Sequence, residues 1–247
     1  MEYRESMIIS TNIERDSNVD INYIVTANSD DLYKRIIFNY FSGHHCFNLI
    51  GSYGTGKSSF LWALDKHLQG DRIFSTSVEN DLTDLKEIKI LKFVGSTVSF
   101  RETFYDKLEG EPAEELTNKD VLKHFSNVLA RKANKNTLQV IFIDEFGKYL
   151  EFAAKNDFDE MYFLQELAEF CGRRDIILVT TLHQNFGAYS KGLTSEQKNE
   201  WNKVKGRFLD IAFDEPIEQL LFFASEKLGD RSSKGITQKQ FAKINAS

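Results

Sequence analysis

The chain is short of proline and cysteine, and it lacks any long apolar run. It has two prolines, Pro112 and Pro216, in 247 residues, and 41% of its residues are hydrophobic. That is the composition of a globular protein, with enough chain for one large domain or one domain plus an appendage. No stretch of 18 apolar residues occurs, so no segment is expected to span a bilayer. Met1-Glu2-Tyr3-Arg4-Glu5 is charged where a secretory signal needs an apolar core, and a cytoplasmic location is expected. The two cysteines, Cys46 and Cys171, lie far apart in apolar stretches. They read as small buried hydrophobes in a reducing compartment rather than as a disulfide or a metal site. The five histidines include His44-His45, but no Cys/His grouping has zinc spacing, so no structural metal is expected. The formal net charge is −6. A protein that grips nucleic acid over most of its surface is usually basic, so that class is excluded while a local basic stripe stays open.

Along the chain there is no internal repeat and no low-complexity tract. Residues 1–28 are polar, with a short extended piece at Tyr23-Ile24-Val25, and read as an N-terminal extension. Ser29-Asp30-Asp31 looks like a helix start, with Leu32, Ile36, Ile37 and Tyr40 following at helical spacing. Strands and helices then alternate. Strands are expected at Cys46–Ile50, 89–94, 138–143, 176–180 and 208–213, with a weaker candidate at 72–76. Helices are expected at 57–68, from the Ser99…Glu102 capping box to about Leu108, along the stripe Val121, Leu122, Phe125, Val128 and Leu129, at 157–170, and from the Thr194…Gln197 capping box through Trp201 and Val204. The acidic run 109–115 reads as a solvated loop, and Pro216 suits the first turn of a further helix. Continuous apolar strands alternating with helices predict an α/β fold around a mainly parallel sheet flanked by helices.

Two segments carry chemistry. Gly51-Ser52-Tyr53-Gly54-Thr55-Gly56-Lys57-Ser58 fits G-x-x-x-x-G-K-[ST] at every fixed position, between an apolar strand and an amphipathic helix. Glycines let such a loop turn its N–H groups toward phosphate oxygens, and the following helix adds its positive end. Residues 51–58, together with Ser59, are therefore the expected nucleotide-binding set. Lys57 is expected to reach the β- and γ-phosphates, and the Ser58 hydroxyl to bind Mg²⁺. The competing reading is a glycine-rich turn before an ordinary helix.

The second segment is Val140-Ile141-Phe142-Ile143-Asp144-Glu145, an apolar strand ending in two acids, where open α/β sheets bind ligands. Asp144 is expected to hold Mg²⁺, directly or through water, and Glu145 to orient and deprotonate an attacking water. Taken alone, the pair could also be two solvated acids at a strand end. No Asn-Lys-x-Asp sequence for guanine occurs, so ATP is expected over GTP.

With these motifs in place, residues 29–228 resemble the AAA+ class of P-loop ATPases, including signal-transducing and origin-recognition-type relatives. The resemblance implies that strand 176–180 lies between the two motif strands and ends in a polar γ-phosphate sensor. Thr181 is assigned that role, with Thr180, His183 and Gln184 as competitors, against hydroxyls that merely satisfy local backbone. It also implies that Arg207, in Lys205-Gly206-Arg207-Phe208, is an arginine finger acting on a neighbouring subunit's ATP, against a surface Arg in an ion pair. A helical lid should follow residue 228. With residues 229–247 remaining, it reads as truncated or absent, and the chain as a piece of something longer. Phe146-Gly147-Lys148-Tyr149-Leu150-Glu151 departs from the general AAA+ pattern. With Thr181-Leu182-His183-Gln184-Asn185-Phe186 it is loosely similar to large bacterial ATPases of anti-phage defence loci.

The function implied is an ATP-hydrolysing module that drives conformational change or assembly. It would form a homo-oligomer through the nucleotide site, with any DNA or protein partner engaging regions beyond this chain. The alternative is a nucleotide-gated switch that holds ATP with little turnover. A small-molecule kinase is disfavoured by the Asp144-Glu145 pair and by the lack of an Arg-rich lid.

Overall fold

In a computed structural model, residues 11–19, 23–75, 87–112, 115–132, 137–156 and 158–214 are described. The chain divides into two compact units, residues 1–213 and 214–247. The helix expected after Pro216 and the lid expected from residue 229 lie outside the described residues.

Helix α1 (Ala27–Phe41) begins two residues before the expected Ser29. Thr26 is its cap: the Ser29 N–H donates to the Thr26 hydroxyl (2.8 Å), and the Thr26 N–H donates to the Ser29 hydroxyl (2.9 Å). Ser29 therefore closes a capping box from the third helical position. Strand β1 (Cys46–Ile50) leads to α2 (Lys57–Lys66), which loosens into a π-helical turn at His67–Asp71. Residues 72–75, the described part of the weaker strand candidate, form no strand. The Phe74 N–H donates to His67 Nδ1 (3.0 Å) and the Ser75 N–H to Asp30 Oδ1 (2.8 Å), which occupies donors that a sheet ladder would need.

Strand β2 (Glu87–Val94), α3 (Phe100–Lys107), α4 (Asn118–Lys132) and β3 (Thr137–Asp144) follow. Helix α5 (Gly147–Lys155) was not expected, although Phe146, Tyr149, Leu150 and Ala153 are buried at helical spacing. Helix α6 (Glu160–Arg174) starts later than expected, and β4 (Ile177–Leu182) runs further, through Thr181. Helix α7 (Ser195–Lys205) opens on the expected Thr194…Gln197 capping box, and β5 (Leu209–Ala212) closes the sheet.

The strand order is β2-β3-β4-β1-β5, and every pairing is parallel. This is the α/β sheet that continuous apolar strands require, because both of its faces are covered. On one face Val140, Phe142, Phe47 and Leu49 meet α1 and α2, through residues such as Ile36 and Phe60. On the other face Ile141, Ile143 and Leu178 meet α3 to α7. There Phe93 stacks on Phe104 at 5.4 Å between ring centres, and Phe104 meets Phe125 edge-on at 5.1 Å. Each such ring withdrawn from water stabilises the fold by about 2–3 kcal/mol.

Two contacts were invisible in the sequence pattern. Glu160, 1% exposed, accepts hydrogen bonds from the Ser99 hydroxyl (2.6 Å) and from the N–H groups of Phe100 (3.0 Å) and Arg101 (3.1 Å). It thereby satisfies the start of α3 from another helix. Residues 11–19 contribute Ile13 to the core, and the Trp62 indole N–H donates to the Asp16 carbonyl (3.1 Å). The two cysteines are free and buried. Burial, then contact with Cys46, pushes the Cys171 thiol well above its ordinary value.

Candidate functional site

Three strands bring the sequence-derived candidates to one end of the sheet. Strand β4 lies between β1, which runs into the glycine loop, and β3, which ends at Asp144. In parallel register the carboxyl ends of all three open on the same side.

The loop shows why its glycines are needed. Gly51 donates its N–H to Leu182 O (3.1 Å). A Cβ built on Gly51 would stand 2.2 Å from the Phe213 carbonyl oxygen, so a side chain there would push the loop off the end of β5. Gly54 and Gly56 have φ of 76° and 94°, in the region that L side chains avoid. Gly56 caps α2 in that left-handed conformation, and no side chain caps the first turn. The leading N–H groups of α2 and its dipole are thus presented to the loop. Lys57 Nζ donates to the carbonyls of Gly51 and Ser52, both at 2.6 Å. Burial lowers the pKa of Lys57, opposed by the charges of Asp144 and Glu145, so these three groups share one electrostatic field. Ser58 and Ser59 are half-buried, and Ser59 Oγ lies 2.8 Å from Thr11 Oγ1.

Across β4 the acids are tightly organised. The Thr181 hydroxyl donates to Asp144 Oδ1 (2.5 Å), and the Glu145 N–H donates both to Thr181 Oγ1 (2.9 Å) and to Asp144 Oδ1 (3.0 Å). Of the competing polar residues, Thr181 is therefore the one that touches the acids. Thr180 turns instead to Asn48 Oδ1 (2.6 Å), and the Asn48 amide donates to Asp210 Oδ1 (2.9 Å), a cross-strand polar chain through β4, β1 and β5. His183 stacks on Tyr53 (4.4 Å between centroids, 22° between planes), and its Nδ1 lies 2.9 Å from the Tyr189 hydroxyl. Burial pushes His183 below its ordinary value.

Glu145 has φ of 51°, an uncommon conformation for a residue with a side chain. Gly95 makes room for it: a Cβ on Gly95 would sit 2.0 Å from the Glu145 carbonyl oxygen. Lys148 Nζ contacts Glu145 Oε2. Sequence reasoning did not find Gly95, Thr11 or the Asn48 chain. A single glycine after a strand was the only local signal available for Gly95.

Arg207 is not brought to this end. It precedes β5, whereas the loop follows β1, and the two strands run parallel. The length of β5 and its flanks, on the order of 15 Å, therefore separates them. Its guanidinium is held on the same chain by Glu169 Oε1 (Nε at 3.0 Å, with a second contact from Nη2) and by the Lys203 carbonyl (3.2 Å). That guanidinium holds the Glu169 carboxyl below the usual carboxylate range.

The residues present fit a nucleoside triphosphate with Mg²⁺. The loop is a cradle that side chains would fill, with an ammonium and open helix N–H groups along it. Among the described residues no group of three or more His, Cys, Asp or Glu converges as an all-protein metal cage. One hydroxyl, Ser58, and one carboxylate, Asp144, are what Mg²⁺ needs when phosphates and waters complete its shell.

No protein-family model and no curated protein matches the chain. Among solved structures it is similar to the ORC2 protein of Aeropyrum pernix in its ADP form, with 14% identity and a TM-score of 0.51 over 84% of this chain and 55% of that one. It is also similar to AMPPCP-bound DnaA of Aquifex aeolicus, with 12% identity and a TM-score of 0.50 over 88% of this chain and 56% of that one. At these identities the likeness is one of fold. The chain spans about half the length of the solved structures it matches.

Proposed function

We propose, for a chain whose core has the fold of AAA+ P-loop ATPases, that it binds ATP with Mg²⁺ at residues 51–59 and hydrolyses it. The observation that carries this reading is the strand order β3-β4-β1, which brings the glycine loop with Lys57 and the hydrogen-bonded set Asp144, Glu145 and Thr181 to the same end of the sheet. Ser58 and Asp144 would hold Mg²⁺, which when bound supplies charge neutralisation at the β- and γ-phosphates. Lys57 exchanges its loop carbonyls for phosphate oxygens, and the α2 N–H groups bind the chain of phosphates. Glu145 takes the proton of the attacking water, and Thr181, whose one O–H holds the Asp144 carboxylate in the nucleotide-free site, turns that donor to the γ-phosphate when ATP binds.

Arg207 serves a neighbouring copy, exchanging Glu169 for phosphate oxygens when the protein assembles through this site. The module works in the cytoplasm and drives conformational change or assembly in a larger machine. The loose likeness of residues 146–151 and 181–186 to ATPases of anti-phage loci supports bacterial defence as the setting of that machine. Loss of phage protection in a Lys57→Ala strain, from a host that carries the system, checks this last point.

The direct test is calorimetric titration with Mg-ATP plus steady-state turnover. Lys57→Ala should abolish binding, while Glu145→Gln should retain binding and lose hydrolysis. Turnover per molecule should rise with concentration in the parent and stay flat in Arg207→Ala. Tight binding with no turnover in the parent would identify a nucleotide-gated switch instead. No binding in the parent would remove the proposal altogether.

A further inference from the structure

The segment Phe146-Gly147-Lys148-Tyr149-Leu150-Glu151 follows the two acids, yet the reading above gives it no task. Its first turn is anchored at both ends. The Glu145 backbone is fixed by N–H bonds to Thr181 Oγ1 (2.9 Å) and Asp144 Oδ1 (3.0 Å), and its carbonyl lies against Gly95. Gly147 lies against the Tyr189 ring, where a Cβ would come within 2.3 Å of the hydroxyl oxygen, and the Lys148 N–H donates to Glu145 O (3.0 Å). With the backbone held, what stays free in Glu145 is its side chain, which is 43% exposed.

Electrostatics pushes that side chain outward. Asp144 is its neighbour, and a bound triphosphate would add several more negative charges on the same side. A carboxylate that is half in water answers by rotating away from them. The opposing pull comes from Lys148, three residues on and one helical turn around, whose Nζ contacts Glu145 Oε2. The hydrogen bond to Glu145, then its charge, with lesser help from Tyr53 and Asp144, raises the pKa of Lys148. Glu145 follows β3 directly, at the end of the sheet where the glycine loop follows β1 across β4.

We infer that Lys148 is a positioning residue that holds the Glu145 carboxylate over the phosphate site against repulsion from Asp144 and the nucleotide. Lys148 touches no reacting atom and acts only through Glu145. The inference rests on the ATPase reading, and the two fail in different ways.

The test compares the parent with Lys148→Met, which keeps the length and removes the charge, and with Lys148→Arg. Lys148 is half-exposed, so both variants should fold, with melting temperatures no more than about 4 °C below the parent's. An exposed pair of this kind is worth up to about 1 kcal/mol, or about fivefold in rate. Lys148→Met should therefore lower kcat for Mg-ATP about fivefold, with KM and the calorimetric Kd within about twofold of the parent's. Lys148→Arg should keep more than half of parental kcat. In Glu145→Asp, whose shorter acid reaches less far toward residue 148, adding Lys148→Met should cost less than about twofold. An unchanged or raised kcat in Lys148→Met, a loss carried by KM, or an arginine variant as slow as the methionine one overturns the inference while leaving the ATPase reading intact. A parent that binds Mg-ATP without turning it over overturns both.

Discussion

Replacing Gly95 by alanine isolates a contact between β2 and the two acids. Gly95 N–H donates to Asp144 O at 2.7 Å, and a Cβ at residue 95 would meet Glu145 O at 2.0 Å, Glu145 C at 2.7 Å and Asp144 O at 3.2 Å. All three are backbone atoms, so no flexible side chain can yield. Ordinary contact requires the turn and the strand end to part by about 1.4 Å. Overpacking of this kind costs about 1–3 kcal/mol, and weakening the backbone hydrogen bond adds about 1 kcal/mol. For a chain of this size, a loss of about 2–4 kcal/mol lowers the melting temperature by on the order of 10 °C. Because the displaced carbonyl belongs to Glu145, the proposed ATP turnover of the folded protein should fall as well, by about 100-fold for a 1 Å misplacement. Gly172→Ala is the control. It lies in α6 with only His45 Cδ2 at 3.8 Å, so it should be neutral or stabilising by about 0.5 kcal/mol. Thermal melting and steady-state ATPase assays on both variants decide the matter. If Gly95→Ala melts and turns over like the parent, the packing argument for the acid-bearing turn is wrong.

Two further outcomes follow from buried and paired carboxylates. Glu160→Ala leaves the Ser99 hydroxyl and the Phe100 and Arg101 N–H groups without their acceptor, and should lower stability by about 3–5 kcal/mol, read as a fall in the urea midpoint. Arg207 holds the Glu169 carboxyl below its ordinary value of 4.5, so the unfolded chain takes up this proton first as pH falls. The stabilisation is therefore complete above about pH 4.5 and is lost as pH drops through the lowered folded value. Urea unfolding of Glu169→Gln should be less steeply pH-dependent in that window than the parent, and an identical slope would contradict the pairing.

Signals confined to a few consecutive residues were legible. The Thr194…Gln197 box formed as expected, because both of its hydrogen bonds join residues three apart. Strand β3 followed from four apolar residues in a row, and the loop at 51–58 from glycines whose backbone angles the structure requires. The same locality explains the errors. Thr26 and Ser29 are both good cap residues, and only the backbone shows which one leaves the helix. Helix α5 opens on Gly147, a poor helix former, so its start carries no local signal although its apolar spacing is helical.

Composition and order in the chain alone determined an α/β protein with a phosphate-type loop and a pair of acids after a buried strand. Periodicity and turn chemistry act over less than about ten residues. The family resemblance already implied that β4 lies between β1 and β3, as it does, but only the tertiary structure decided that Thr181 meets Asp144 while Thr180 turns to Asn48. It also decided that Glu160 caps α3, that Gly95 carries Glu145, and that Arg207 rests on Glu169. Those contacts join residues far apart in the chain, and their partners are selected by how the sheet and its two helical layers pack, which no local pattern encodes.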